Sequence, residues 1–145
     1  MNKKRAPAQD VMWSLLEAAG AVEARIESAL AEAGLSGAKL AALTQLVEAG
    51  EPITLGELAA QCACVRSNIT QLVDRLESEK LVKRVDDPQD RRSLRAAITP
   101  LGRERQALGA KKVEAVRKQL AGALKAIDGE ALQRALDDLA PISKR

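Results

Sequence analysis

Arginines are concentrated in one short polar segment of the chain, at positions 91, 92 and 95. A guanidinium group donates several hydrogen bonds from a fixed plane, so arginine is well suited to bind phosphates and base edges. The residues just before the first two, Asp86-Asp87-Pro88-Gln89-Asp90, are typical of a tight turn. This combination favours an exposed loop that contacts a polyanion. The alternative is a charged loop tip that only keeps a hairpin soluble.

Two short apolar runs flank this segment and predict the element that carries it. One run lies at residues 81–85 and the other at residues 94–98. Two such runs joined by a turn predict a β-hairpin. Pro88 restricts the backbone of Asp87, and the carboxylates of Asp87 and Asp90 can accept hydrogen bonds from nearby amides. The turn would then hold the arginines in a defined direction. The narrow minor groove of a DNA duplex has a strong negative potential, which attracts an arginine held in this way.

A helix with one polar face precedes the hairpin. Apolar residues at helical spacing predict this fourth helix over about 66–79. The N-terminal half of its polar face carries side chains that can bond to base edges, namely Arg66, Ser67, Asn68, Thr70 and Gln71. Arg can donate two hydrogen bonds to guanine, and Asn or Gln can pair in the same way with adenine. A face that only needed solvation would more usually carry Glu and Lys, so contact with duplex DNA is the favoured interpretation.

Arg75 lies further along the same helix. It is placed to reach a DNA phosphate, and equally to form an ion pair with Glu79 four residues later. The sequence leaves both interpretations open.

The element before the polar helix completes a helix-turn-helix pattern. Thr54-Leu55-Gly56-Glu57 is a capping box, in which each outer side chain can bond to the other residue's amide. A short third helix therefore begins at Leu55 and runs to about Cys62. Three or four residues then connect it to the fourth helix, which is the spacing of a helix-turn-helix.

Long amphipathic helices are predicted at both ends of the chain. The first covers about 10–33, and Thr99-Pro100 opens another that runs to about 126. Asp128 caps a last helix that stops at Pro141. These helices carry more apolar surface than a compact DNA-binding lobe needs, so we expect them to pack against a second copy of the chain. The alternative is that they fold back on their own chain.

Composition limits the class of protein. With 145 residues and 46% hydrophobic residues, the chain is expected to form one globular domain. It has one Trp and neither Phe nor Tyr, which argues against stacking on single-stranded nucleic acid. Residues 66–105 carry ten Lys or Arg against seven Asp or Glu, so the basic excess includes the predicted DNA-binding region. No signal peptide or membrane-length apolar run is evident, which predicts a cytoplasmic protein without a membrane partner.

The sequence offers little for catalysis. It has no His, the commonest general base, and no Gly-rich phosphate loop, nucleophile elbow or carboxylate pair stands out. We therefore expect no enzyme activity and no cofactor.

Cys62 and Cys64 are too close together for a framework disulfide. A thiol near a helix N-terminus and Arg66 can gain thiolate character, so a redox sensor is one interpretation. The favoured interpretation is that both cysteines act as small buried hydrophobic residues. Without a His, this pair is weak evidence for metal, and no metal site is predicted.

Specific motifs resemble one known family. Leu72-Val73-Asp74-Arg75-Leu76-Glu77, then Asp87-Pro88-Gln89-Asp90-Arg91-Arg92-Ser93, then Ile98-Thr99-Pro100-Leu101-Gly102 are similar to the MarR family of bacterial transcriptional regulators. The resemblance implies a mainly α fold with a small β-hairpin wing, in a single domain over 1–145. This is a winged helix-turn-helix with N- and C-terminal dimerisation helices, at about 10–33 and 100–145, and a DNA-binding lobe at about 38–99.

The same resemblance implies roles for individual residues. Arg92 would enter the minor groove, and Asp90 would orient the basic side chains around it. Arg91 and Arg95 would also belong to the DNA-binding residues of the wing. The fourth helix would enter the major groove of a pseudo-palindromic operator. A small anionic or phenolic effector would release a repressor from DNA, and Trp13 would either line the effector site or belong to the dimer interface.

Three positions depart from the family pattern, and two other functions stay open. Val65 stands where Ser or Thr usually caps the recognition helix, Lys80 replaces a frequent Gly or Asn, and the two cysteines replace apolar residues. The alternatives to a ligand-released repressor are a thiol-based redox regulator that uses Cys62 and Cys64, and a non-specific architectural DNA-binding protein.

Overall fold

The computed structural model describes residues 7–63, 66–90 and 92–140, with side chains described from Asp10 onward and, after the gap at 64–65, from Asn68 onward. Within these ranges it contains six helices and three short strands. In chain order they are α1 (Pro7–Ala31), α2 (Gly37–Ala49), β1 (Ile53–Thr54), α3 (Leu55–Gln61), α4 (Arg66–Ser78), β2 (Val82–Asp86), β3 (Leu94–Ile98), α5 (Pro100–Ala123) and α6 (Gly129–Leu139). The mainly α fold with a hairpin wing is confirmed.

The helix starts predicted from capping residues are confirmed. Thr54 Oγ1 accepts a hydrogen bond from the Glu57 amide, and Glu57 Oε2 accepts one from the Thr54 amide, both at 3.1 Å. Thr99 Oγ1 accepts from the Gly102 amide at 3.0 Å at the start of α5. Asp128 Oδ1 accepts from two amides at the start of α6. Each cap satisfies amides that have no partner within the helix.

Two predicted helix ends are wrong by two or three residues. Helix α1 ends at Ala31 instead of residue 33, because Gly34 adopts a φ of 68° and the chain turns there. Helix α5 ends at Ala123 instead of residue 126, where the amide of Lys125 bonds to the carbonyl of Gly122. Tightened terminal turns of this kind end a helix without a sharp sequence signal.

The sheet contains one strand more than the predicted hairpin. Its order is β1-β3-β2, with both pairs antiparallel. Ala96 in the middle of β3 pairs with Ile53 on one side and with Arg84 on the other. Because Thr54 is both the last residue of β1 and the N-cap of α3, the sheet fixes the start of the helix-turn-helix.

The core lies between the first four helices and this sheet. It is built from aliphatic side chains, as the lack of Phe and Tyr requires, and its largest fully buried members are Leu30, Leu43, Leu46, Leu58, Ile69, Val73, Leu76, Leu81 and Val82. Helix α4 alone contributes three of them, so its apolar side is fixed inward.

The chain separates into two compact units, residues 1–113 and residues 114–145. The first contains the helix-turn-helix and the sheet. The second contains the end of α5 and all of α6. None of the described helices is long and apolar enough to cross a membrane.

Candidate nucleic-acid interface

Helix α4 presents the polar face that the sequence predicts. Ile69, Val73 and Leu76 are buried, whereas Asn68, Thr70, Gln71 and Arg75 are exposed. The helix begins at Arg66, but the side chains of Arg66 and Ser67 lie outside the described part of the structure, as do residues 64 and 65. The described side chains form a surface that can donate to and accept from base edges.

Arg75 is not paired with Glu79. Glu79 Oε1 instead lies 2.7 Å from Lys39 Nζ, which ties the C-terminal end of α4 to α2. Among the described ion pairs none joins Arg75 to Glu79, and the Arg75 side chain is exposed. Of the two interpretations of Arg75, the helical pair is therefore absent from this structure.

Hydrogen bonds to the backbone give the wing its shape. Asp87 Oδ1 accepts from the Gln89 amide at 2.9 Å, and Asp90 Oδ1 accepts from the Arg92 amide at 3.0 Å. The Ser93 carbonyl accepts from the Asp87 amide at 3.2 Å and closes the turn. The predicted use of both aspartates as turn acceptors is confirmed. Arg92 is exposed at the tip; Arg91 lies outside the described residues.

Arg95 is partly buried and bonds within the protein, whereas Arg92 is exposed. Its Nε lies 3.3 Å from Asp87 Oδ2, as an ion pair without an aligned hydrogen bond, and its Nη1 donates to the Pro52 carbonyl at 3.2 Å. The hydrogen bond from the Gln89 amide, with the Arg95 guanidinium beside it, holds the pKa of the Asp87 carboxyl below its usual range. Arg95 therefore joins the wing to the segment before β1.

Arg84 also helps to shape the candidate interface, and the sequence did not single it out. It lies on β2, and its side chain is 18% exposed because it bonds to Glu77 and Asp74 on α4. The i, i+3 spacing of two acidic residues on a predicted helix was the available signal. Nothing in the sequence indicates which of the many arginines pairs with them.

A groove connects α4 to the wing. Its volume is about 350 Å³ and its lining comes from three elements: Thr54, Leu55 and Gly56 at the start of α3, Ile69 and Thr70 of α4, and Arg92, Ser93 and Leu94 of the wing. A second groove of about 270 Å³ runs along α4 and includes Asn68, Gln71 and Arg75. Thr70 of α4 and the tip residue Arg92 thus line one groove of the first unit, and Asn68, Gln71 and Arg75 line another.

Comparisons with known proteins agree with this architecture. The sequence matches the MarR family over residues 33–93, which include the helix-turn-helix, β2 and the turn before β3. An uncharacterised HTH-type transcriptional regulator of Bacillus subtilis, YsmB, is 32% identical over 93 residues, which cover 64% of this chain and 63% of YsmB. The aligned part of the chain thus spans less than two thirds of that relative.

Solved structures of the same fold cover nearly the whole chain. AbsC, a MarR family transcriptional regulator from Streptomyces coelicolor, superposes with a TM-score of 0.81 at 23% identity, covering 99% of this chain and 97% of AbsC. CouR from Rhodococcus jostii RHA1, solved with p-coumaroyl-CoA, has a TM-score of 0.74 at 28% identity and covers 96% of this chain and 95% of CouR. Residues 33–93 thus match the MarR family, and solved MarR family regulators share the fold of nearly the whole chain. CouR has also been solved as a transcriptional repressor bound to a 23-mer DNA duplex, with a TM-score of 0.78 at 24% identity and 99% coverage of both chains.

The residues singled out for regulation, Trp13, Cys62 and Cys64, do not share one described environment. Trp13 is 61% exposed on α1. Cys62 is half-buried at the C-cap of α3, and Cys64 lies outside the described residues. Redox sensing by the two cysteines stays a prediction.

Proposed function

We propose that this chain is a homodimeric transcriptional regulator that binds a pseudo-palindromic operator in duplex DNA. The observation that carries the proposal is the shared groove that both α4 and the Arg92 wing line. In such a reader the helix enters the major groove while a neighbouring element reaches the adjacent minor groove. CouR, a protein of the same fold, has been solved with a DNA duplex, which supports duplex DNA as the partner.

Within this proposal α4 contacts the base edges, and the wing fixes the position of the protein along the duplex. Asn68 and Gln71 are placed to pair with adenine edges, and Arg75 is free to contact a phosphate. Arg66, Ser67 and Thr70 belong to the same face, and Arg91 and Arg92 belong to the wing tip. Arg95 contributes indirectly, since it holds the wing through Asp87 and Pro52. Asp90 fixes the backbone at Arg92.

The dimer is proposed from apolar side chains that a single copy leaves uncovered. On α1, Val11, Trp13 and Leu16 are each more than half exposed. On α6, Leu136 and Leu139 are exposed on the same face, three residues apart. Helices with such faces bury them against another helix, and a two-fold dimer supplies a second copy of each. We place Trp13 in this interface.

Repression that is released by a small ligand is the regulatory part of the proposal. It is supported by CouR, which is called a transcriptional repressor and has been solved both with DNA and with p-coumaroyl-CoA. The effector class proposed here is a small anionic or phenolic compound.

Selection of duplexes from a random-sequence library tests the proposal. The protein should enrich sequences with two inverted half-sites about 10 base pairs apart, and footprinting should protect both. The selected duplex should bind at least about 1,000-fold more tightly than a scrambled duplex at physiological salt. Equal affinity for both would instead identify a non-specific architectural protein.

A further inference from the structure

Strand β2 forms the edge of the sheet, and an α4 side chain covers part of that edge. Among the described residues, the sheet order places β3 on one side of β2 and no strand on the other. The backbone amide of Arg84 donates instead to Glu77 Oε2 of α4, at 3.0 Å. An edge amide needs a partner, and here that partner belongs to the helix proposed to read DNA.

The side chain of Arg84 also bonds to α4. Its Nη1 donates to Glu77 Oε1 at 2.9 Å, and its Nη2 donates to Asp74 Oδ1 at 2.5 Å. The planar guanidinium thus bridges two carboxylates almost one helical turn apart, an arrangement that the point charge of a lysine cannot reproduce. Three hydrogen bonds from one strand residue fix β2 against α4.

These bonds define a joint between the two elements proposed to contact DNA. Asp74 follows Gln71 by three residues on the exposed side of α4. Arg84 lies on the strand that leads into the Asp87 turn and its tip arginines. A rotation of the wing relative to α4 would have to break the bonds of Arg84.

We propose that Arg84 is a positioning residue for DNA binding, which sets the angle between the recognition helix and the wing through Glu77 and Asp74. The inference rests on the proposed function, because it concerns the fit of α4 and the wing to two grooves of one duplex. Specific binding requires both contacts at once, so a loose joint must be ordered when the specific complex forms. Non-specific binding depends mainly on phosphate contacts and tolerates a loose joint.

The first test compares Arg84→Met with the wild type on two duplexes, one selected by the wild type from random sequence and one scrambled. Arg84→Met should bind the selected duplex about tenfold more weakly, and the scrambled duplex within about twofold of wild type. Lys83→Met is the matched control, because it removes the same charge from an exposed position on the same strand. It should lower both affinities equally and slightly. Circular dichroism at the assay temperature verifies that each variant is folded.

A second variant separates positioning from charge. Arg84→Met combined with Glu77→Gln keeps the net charge of the wild-type cluster, because it removes one positive and one negative group. If Arg84 positions the helix, this double variant remains about tenfold weaker on the selected duplex. Arg84→Lys should fall between Arg84→Met and wild type. Recovery of wild-type affinity by the charge-matched double variant would overturn the inference.

Hydrogen exchange without DNA provides a readout that does not depend on the proposed function. Arg84→Met should speed exchange of the β2 amides and leave exchange in α2 unchanged. Unchanged exchange in β2, or wild-type affinity of Arg84→Met for the selected duplex, overturns the joint alone. A wild type that selects no duplex contradicts the proposed function, and the exchange result then still decides the joint.

Discussion

Asp87 and Arg95 form an ion pair at the root of the wing, with Arg95 Nε 3.3 Å from Asp87 Oδ2. Asp87 is 8% exposed and its other oxygen accepts the Gln89 amide. Arg95 also donates to the Pro52 carbonyl. The Asp87 carboxylate therefore fixes the turn, and Arg95 connects that turn to Pro52 in the segment before β1. Both contacts favour the ionised carboxylate, and they hold the pKa of Asp87 below its ordinary value.

Acid should loosen the wing through Asp87. The pKa of its carboxyl is lowered from the ordinary value of 3.8, so its ionised form stabilises the fold above about pH 3.8. This contribution is lost as the pH falls below that value and through the lower folded-state pKa. Asp87→Asn should therefore unfold at lower temperature than wild type at neutral pH and show a smaller loss on acidification. Thermal unfolding followed at pH values from about 2 to about 6 measures this.

Asp86→Asn is the control for the acid dependence of Asp87→Asn, because it removes the same charge from the exposed preceding residue. Its profile should follow the wild type. Identical acid profiles for Asp87→Asn and Asp86→Asn would contradict the role given to Asp87.

Arg92→Ala should weaken DNA binding and flatten its salt dependence. Each phosphate contact contributes about one unit to the slope of log affinity against log salt, and an arginine in a narrow minor groove acts in the same electrostatic way. We expect a loss of roughly tenfold and a slope smaller by about one. Titrations of the selected duplex between about 50 and 200 mM salt measure both.

Arg25→Ala is the control for Arg92→Ala, because it removes the same charge from the exposed side of α1. It should keep the wild-type slope. If both variants lose affinity equally, the tip arginine acts only through net charge, and its placement in the minor groove is wrong.

Local signals explain what the sequence could predict. The capping box at Thr54 and the buried side of α4 depend on residues within one or two turns of each other, so their pattern is visible along the chain. Strand β1 has two residues, too few to show an alternating pattern. It exists because Ile53 pairs with Ala96, a partner 43 positions away.

Long-range pairing also explains why the arginines could not be sorted by sequence. Arg92 and Arg95 look equivalent along the chain, yet only Arg95 reaches the Pro52 carbonyl. Arg84 has no sequence feature that distinguishes it from other strand residues, yet in the fold it pairs with Glu77 of α4. Glu79 had a plausible partner four residues away in Arg75 but pairs with Lys39, 40 residues away. Sequence distance does not indicate which of several cations lies closest in space.

A charge on the uncovered face of α1 should disrupt the proposed dimer. Leu16→Glu would bury a carboxylate without a partner in the interface, so the dimer dissociation constant should rise by at least about 100-fold. Sedimentation velocity over a range of protein concentrations measures this, and the emission of Trp13, the only Trp in the chain, should shift to the red. Ser28→Glu introduces the same charge at another exposed position of α1 and should leave the dimer intact.

The close packing of α5 against Leu81, just before β2, leaves no room for a methyl group at Gly102. A Cβ built there would lie 2.0 Å from the Leu81 carbonyl oxygen, and backbone atoms cannot move aside as a flexible side chain can. The same carbonyl accepts the Thr99 amide at 3.1 Å, so displacing it would also weaken the start of α5. Gly102→Ala should therefore lower the free energy of unfolding by about 1–3 kcal/mol, despite the better helix propensity of Ala. Gly122→Ala in the same helix meets nothing within 4 Å and should raise it by up to about 1 kcal/mol. Urea unfolding of both variants measures the difference, and equal stabilisation by the two substitutions would show that α5 does not pack on Leu81 as closely as described.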